Sequence, residues 1–175
     1  KAAGRGRFRH FTVALDEEAN ERRKVEMDLH GALANGEFEL YFQPLFDLAS
    51  NRFCAFEALL RWHHPARGIV PPSTFIPIAE DSGSFLQIGE WVMREACREA
   101  ASWPQPLTIA INVSALQIYN DNFVQLIHSI LLETGLSPRR LEIEITETAL
   151  VRDLQRALNA LRQVKALGVR IAMDD

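Results

Sequence analysis

The sequence predicts an α/β fold assembled from parallel βα units. Three observations carry that reading. From residue 107 onward, short apolar strands alternate with amphipathic helices over short connections, the pattern of a parallel sheet with helical crossovers. Each of those strands places branched apolar residues at one parity and an oxygen-bearing residue at the other, near its carboxyl end. The chain has 175 residues, 47% of them hydrophobic, which suffices for one compact domain and is too apolar for a disordered tail.

The elements follow in order. Residues 1–11 are basic and Gly-containing and read as a tail or linker. A helix is expected from Asp16 as N-cap, with Glu17 and Glu18 suiting the positive end of its dipole, and Gly36 suits its stop. Val25, Leu29, Ala32 and Leu33 give it an apolar stripe. Stretches 38–48 and 53–60 read as strands joined by a short Ser/Asn turn, hence an antiparallel hairpin. Residues 68–72 read as a loop. Ser73 opens a short helix that Asp81-Ser82-Gly83 breaks, and Leu86, Trp91, Val92, Ala96 and Ala100 mark a longer one ending near Trp103-Pro104. Then come a strand over 107–113, a helix over 123–134 closed by Gly135, and a strand over 141–145. A helix marked by Leu150, Leu154, Leu158, Leu161 and Val164 is closed by Gly168, and a strand over 169–173 follows. These make about five strands. The chain stops where that last strand has just finished, so the sequence reads as a piece of something longer.

Composition narrows the function. Nineteen Lys and Arg against 23 Asp and Glu leave a net charge of −4, which argues against a surface built for a nucleic-acid polymer. A single nucleotide held through metal is compatible with it. No run approaches the ~18 apolar residues of a membrane span, and the basic start lacks an apolar signal core. Cys54 and Cys97 show no CxxC spacing and read as reduced thiols in the core of a cytoplasmic protein. Walker, GxSxG, HExxH and GxGxxG motifs are absent. His63-His64 are adjacent in sequence and so face different ways; beside Pro65 they read as loop residues rather than ligands.

Alternation along strands sorts the remaining polar residues. Asn112 shares a face with Thr108 and Ala110, Glu144 with Glu142, Asp174 with Arg170 and Ala172, and Glu57 with Ala55 and Leu59. In each strand the apolar set packs under helices while the oxygen side chain points to a barrel axis or sheet centre. Acids brought together there repel unless a cation compensates, and oxygen donors without His or Cys favour Mg²⁺ or Mn²⁺. Asp174-Asp175 could serve two ions, as in two-metal phosphodiester hydrolysis. The alternative at each position is a helix N-cap or a surface charge.

Six motifs now stand in order. They are Tyr41-Phe42-Gln43-Pro44, Glu57-Ala58-Leu59-Leu60-Arg61-Trp62, Phe75-Ile76-Pro77-Ile78-Ala79-Glu80, Asn112-Val113-Ser114, Glu144-Ile145-Thr146-Glu147 and Asp174-Asp175. Across 30–175 the sequence resembles the EAL-domain cyclic di-GMP phosphodiesterases. The resemblance implies a TIM-like (β/α)8 barrel with an antiparallel first strand, of which about the first five strands lie in this sequence. It implies metal-dependent hydrolysis of cyclic di-GMP to linear pGpG with Mg²⁺ or Mn²⁺ at a two-metal site. Glu57, Asn112, Glu144 and Asp174 would be metal ligands, and Asp175 would serve the second ion. Glu147 would order the loop near the site and the dimer interface. Gln43, Leu59 and Arg61 would line the dinucleotide site, with Arg61 offering a fork of donors to a phosphate.

The family's later strands bring a lysine, a further metal-binding glutamate and a glutamine, all beyond residue 175. Alone, these residues are therefore expected to be inactive, while the parent is expected to be a phosphodiesterase. A catalytically inactive cyclic di-GMP receptor is the alternative. Lys1, Gly4, Arg5 and Arg7 resemble the close of a GGDEF domain. The expected division is then 1–15 as its tail, 16–36 as a linker helix, and 37–175 as the N-terminal part of an EAL domain. A homodimer, a linked upstream GGDEF or sensor domain, and a cytoplasmic location, with a membrane tether possible only through upstream domains, complete the expectations.

Overall fold

The computed structural model describes residues 13–146 and 153–174. Helix α1 (Val13–Ala32) leads to the long hairpin β1 (Phe38–Asp47) and β2 (Arg52–His64), followed by a short strand β3 (Gly68–Val70). Helices α2 (Pro72–Ser82) and α3 (Phe85–Ser102) precede β4 (Thr108–Asn112). Then come α4 (Ala115–Ile118), α5 (Phe123–Thr134), β5 (Leu141–Thr146), α6 (Leu154–Ala166) and β6 (Arg170–Asp174). The sheet runs β1-β2-β4-β5-β6, with β3 paired to β2 off this path. The β1–β2 pair is antiparallel; β2–β4, β4–β5 and β5–β6 are parallel. The α/β class, the hairpin and the parallel units agree with the sequence reading.

Four local expectations are corrected. Helix α1 begins at Val13, so Asp16 lies within its first turn and is not the N-cap. Its other end follows expectation: Gly36 adopts φ 68°, and Glu37 N–H reaches Ala32 O at 3.0 Å while Gly36 N–H reaches Leu33 O, a Schellman close that favours glycine. His63 and His64 belong to β2, not to a loop, because Gly68–Val70 folds back as β3 and pairs with Trp62, His63 and His64. Among the described residues the main path of the sheet thus holds the five strands expected, and β3, where a loop was expected over 68–72, is a short addition beside β2. Finally, Cys54 is exposed and only Cys97 is buried, both as free thiols.

The core lies between the sheet and its helices. Ile109, Ile111, Ile143 and Ile145 of β4 and β5 are buried beneath Ile127 and Ile130 of α5 and Leu161 and Val164 of α6. A second focus joins α1 and α2 to the hairpin. Trp62 and Phe75 are fully buried, their rings 5.5 Å apart, with Phe38 at 5.9 Å from each. Pro44 stands opposite Phe56 in β1, one residue before the register of the hairpin shifts between Leu45 and Phe46. Arg140 ties the layers: its Nε donates to Leu107 O at 2.9 Å and its Nη2 to Ala100 O at 2.6 Å, satisfying carbonyls where α3 gives way to β4. Among the described residues no helix is long and apolar enough to cross a membrane.

Candidate active site

Backbone register decides which side chains can meet. Gln43 pairs with Glu57, Glu57 with Ala110, Ala110 with Glu142, and Glu142 with Arg170. One step nearer the carboxyl ends, Tyr41 pairs with Leu59, Asn112 with Glu144, and Glu144 with Ala172. One step further, Thr146 pairs with Asp174. By strand alternation these positions fall on the sheet face opposite the buried isoleucines. From Glu57 through Asn112 and Glu144 to Asp174, position advances four residues over three parallel strand steps. That offset is close to the ~1 residue per strand by which the strands of an eight-stranded barrel stagger. Equal height along a barrel axis runs along this diagonal, so the register sets the four positions at one level.

The closest contact on that line is direct. Asn112 Nδ2 donates to Glu57 Oε1 at 2.7 Å across 55 residues of sequence. The bond fixes the Glu57 carboxylate and leaves the Asn112 amide oxygen as a donor atom for a ligand. Glu57 and Glu144 are half-buried and Asn112 is exposed at the end of β4. Ala110 and Ala172 alternate with the larger side chains in these rows; Ala110 is fully buried, and the face opens only at its carboxyl end, at Asn112. Gln43, Leu59 and Arg61 lie on the same face of the hairpin as Glu57. Arg61 donates from Nη1 to Leu60 O at 2.9 Å and sits over the Tyr41 ring, 5.5 Å from its centroid. Asp174 is the last described residue of β6; Glu147 and Asp175 lie outside the described residues.

Two adjoining cavities open at these strand ends. One, about 350 Å³, is lined by Asn112, Ser114, Glu144 and Thr146 together with Ile76, Glu80 and Phe85. The other, about 320 Å³, takes in Leu59, Arg61, Pro72 and Gly89 and shares Ile76, Phe85 and Asn112 with the first. Apolar walls with a few polar groups are what a nucleotide-sized ligand requires. A larger cavity, about 640 Å³, lies between α5 and α6 beside the Asp121–Arg156 pair and contains none of the predicted site residues.

Glu80 is a site-lining residue to which the sequence reading gave no role. Burial, reinforced by the like charge of Asp81, raises its carboxyl above the usual range. Its signal was available, since a glutamate ends the apolar Phe75–Ala79 stretch, but a helix wheel alone places it at the edge of a buried stripe. Gly89 is a second such position: a Cβ there would meet Gln117 Nε2 at 2.4 Å, so a larger residue would displace the Gln117 amide. Gln117 in turn accepts from Ser114 N–H at 3.0 Å and holds the turn after Asn112.

The donor set suits a hard divalent ion. Glu57, Asn112 and Glu144 offer oxygen only, with no thiol or imidazole. Among the described residues no three His, Cys, Asp or Glu side chains cluster closely enough to hold an ion by themselves; the amide oxygen of Asn112 is part of any such set here. His63 and His64 do not join it. They turn to opposite sides, His63 toward Glu39 and His64 toward Asp28 of α1.

Comparison with known proteins agrees with this geometry. An uncharacterized signaling protein of Caulobacter vibrioides is 51% identical over the whole chain, which spans 22% of that protein. The bifunctional diguanylate cyclase/cyclic di-GMP phosphodiesterase MucR of Pseudomonas aeruginosa is 37% identical, and the chain spans 26% of it. The chain thus covers about a quarter or less of these curated relatives. The solved MucR phosphodiesterase in complex with cyclic di-GMP superposes with a TM-score of 0.84 at 38% identity, over 87% of this chain and 63% of that one. The EAL enzyme Bd1971, in a form bound to cAMP and cyclic di-GMP, superposes with a TM-score of 0.84 at 29% identity, over 90% of this chain and 45% of that one. The family model for the EAL domain matches residues 26–175, starting inside α1 and running through all the strands. By that match and by the fold it shares with these structures, the chain belongs to the EAL domain family.

Proposed function

We propose that the EAL domain to which these strands belong hydrolyses one phosphodiester bond of cyclic di-GMP, giving the linear dinucleotide. The observation that carries this reading is the Asn112–Glu57 hydrogen bond, with Glu144 in register beside it, at the carboxyl ends of parallel strands. In α/β barrels that end carries the chemistry. The likeness to MucR, a phosphodiesterase solved with cyclic di-GMP, supports the choice of substrate.

Glu57, Asn112, Glu144 and Asp174 would hold Mg²⁺ or Mn²⁺, and Asp175 a second ion. Such ions, when bound, lower the pKa of water and offset charge developing on a phosphate. The chain's own residues supply position. Asn112 orients the Glu57 carboxylate through its donated hydrogen bond. Arg61 keeps its remaining donors for the non-bridging oxygens of the phosphodiester, in the planar fork that suits them. Leu59, Ile76 and Phe85 provide apolar wall for a base, and Gln43 flanks Glu57 on the hairpin. Glu147 is read as ordering the loop after β5. Residues 16–36 are read as a linker helix, 1–15 as the tail of a preceding GGDEF domain and 37–175 as the first part of the EAL domain.

The test is chromatography of cyclic di-GMP incubated with the protein carrying its complete EAL domain. Linear dinucleotide is expected with Mg²⁺ or Mn²⁺ and none with chelator. Glu57→Ala should lower turnover by at least ~10²–10³-fold, the scale of losing one transition-state-stabilising group. Tight binding of cyclic di-GMP without product would replace the enzyme with a receptor.

A further inference from the structure

Arg61 is directly opposite Glu39 in the β1–β2 register. Opposite charges in that position normally pair across the strands. Here they do not. Glu39 Oε2 lies 2.8 Å from His63 Nε2, off the line of a hydrogen bond but forming an ion pair when the imidazole is protonated. Arg61 has no carboxylate partner among the described residues; it keeps one bond to Leu60 O and lies over the Tyr41 ring. The same ring stands 6.2 Å from the His63 ring. Tyr41 is therefore flanked by Arg61 and His63, while His63 holds the one acid placed to neutralise Arg61.

An arginine has five N–H donors and no acceptor. One whose fork is taken by a carboxylate has few left for a ligand. A ring face, in contrast, restrains the guanidinium plane and leaves its edge donors open.

We infer that His63 and Tyr41 are positioning residues for Arg61: His63 draws Glu39 off the guanidinium, and Tyr41 supports its plane, so that the fork remains open to the non-bridging oxygens of a phosphodiester. The inference rests on the cyclic di-GMP reading above and assigns roles to three residues, Glu39, Tyr41 and His63, outside the metal-binding set.

The experiment measures KM and kcat for cyclic di-GMP at saturating Mg²⁺ in the protein with its complete EAL domain. His63→Leu releases Glu39 onto Arg61 and is expected to raise KM about five-fold, the scale of one cross-strand charge pair. Its kcat should stay within about two-fold, because uniform binding is what is lost. Adding Glu39→Gln to that variant should return KM to the parent value, although the histidine is still absent. Tyr41→Leu should raise KM about two- to five-fold, and Tyr41→Phe, which keeps a ring, should not. A KM rise that Glu39→Gln fails to relieve, or an unchanged KM in His63→Leu, overturns the inference. Arg61→Ala separates the two levels: if it leaves KM unchanged, the phosphate role of Arg61 fails, and if the parent protein makes no product, the enzyme reading fails.

Discussion

Ile143 and Glu144 are neighbours in sequence and opposites in surroundings. Ile143 is 1% exposed beneath the helices, while Glu144 stands half-buried on the open face beside Asn112. The same contrast holds for Ile111 and Asn112 of β4. One face of the sheet is bound to packing and tolerates little change. The other buries Ala55, Thr108 and Ala110 but leaves its acids half-buried and Asn112 exposed toward the carboxyl ends. A strand two residues out of phase would keep both faces; a strand one residue out would exchange them. Register is thus the point at which stability and chemistry are set together.

The contrast can be broken most forcefully from the packed side. Ile143→Ala should cost about 2–5 kcal/mol of stability in urea denaturation, since it removes buried methyl groups and leaves a cavity. Glu144→Ala, one residue along, should cost far less stability and instead remove turnover. If the two variants lose stability equally, the division between faces is wrong. Arg140→Ala should cost about 1–3 kcal/mol by removing the donor to Leu107 O, while Ala100 O keeps the N–H of Trp103, with no direct effect on the acids at the opposite strand ends. The mildest probe is chemical. Burial pushes the Cys97 thiol up to about 12, so its reactive thiolate is scarce at every pH below that value and grows only as pH approaches it. A disulfide reagent at pH 8 should label exposed Cys54 in the native protein and Cys97 only after denaturation. Rapid labelling of both would place Cys97 outside the core.

Much of this was legible because period-2 patterns report faces. The sequence of β4, β5 and β6 alternates cleanly, so Asn112, Glu144 and Asp174 could be assigned to one side before any coordinates. Glu57 was harder, because β2 is apolar at both parities around it and the hairpin rested on the short Ser/Asn turn between two strand-like stretches. Contacts that join distant segments were illegible. The Arg140 bonds span 33 and 40 residues, and no local pattern announces them. Strand β3 escaped for a different reason: three residues bounded by Gly68 and Pro71 carry turn signals stronger than their strand propensity, and only pairing with β2 makes them a strand. His63 and His64 were misplaced by the same omission. The N-cap expected at Asp16 failed because the helix already includes Val13 and Asp16 lies inside it.

The direction of β1 has one more consequence. In an all-parallel barrel the chain enters at the bottom and reaches the reactive rim only after crossing the first strand. Here β1 runs backward, and its first residue, Phe38, pairs with Trp62 near the far end of β2. Helix α1 therefore hands the chain over at the rim itself. It is clamped there by Asp28 to His64 and by Glu21 to Arg67. Twenty residues of helix make a rod about 30 Å long, anchored at its C-terminal half to the strand that carries Glu57 and Arg61.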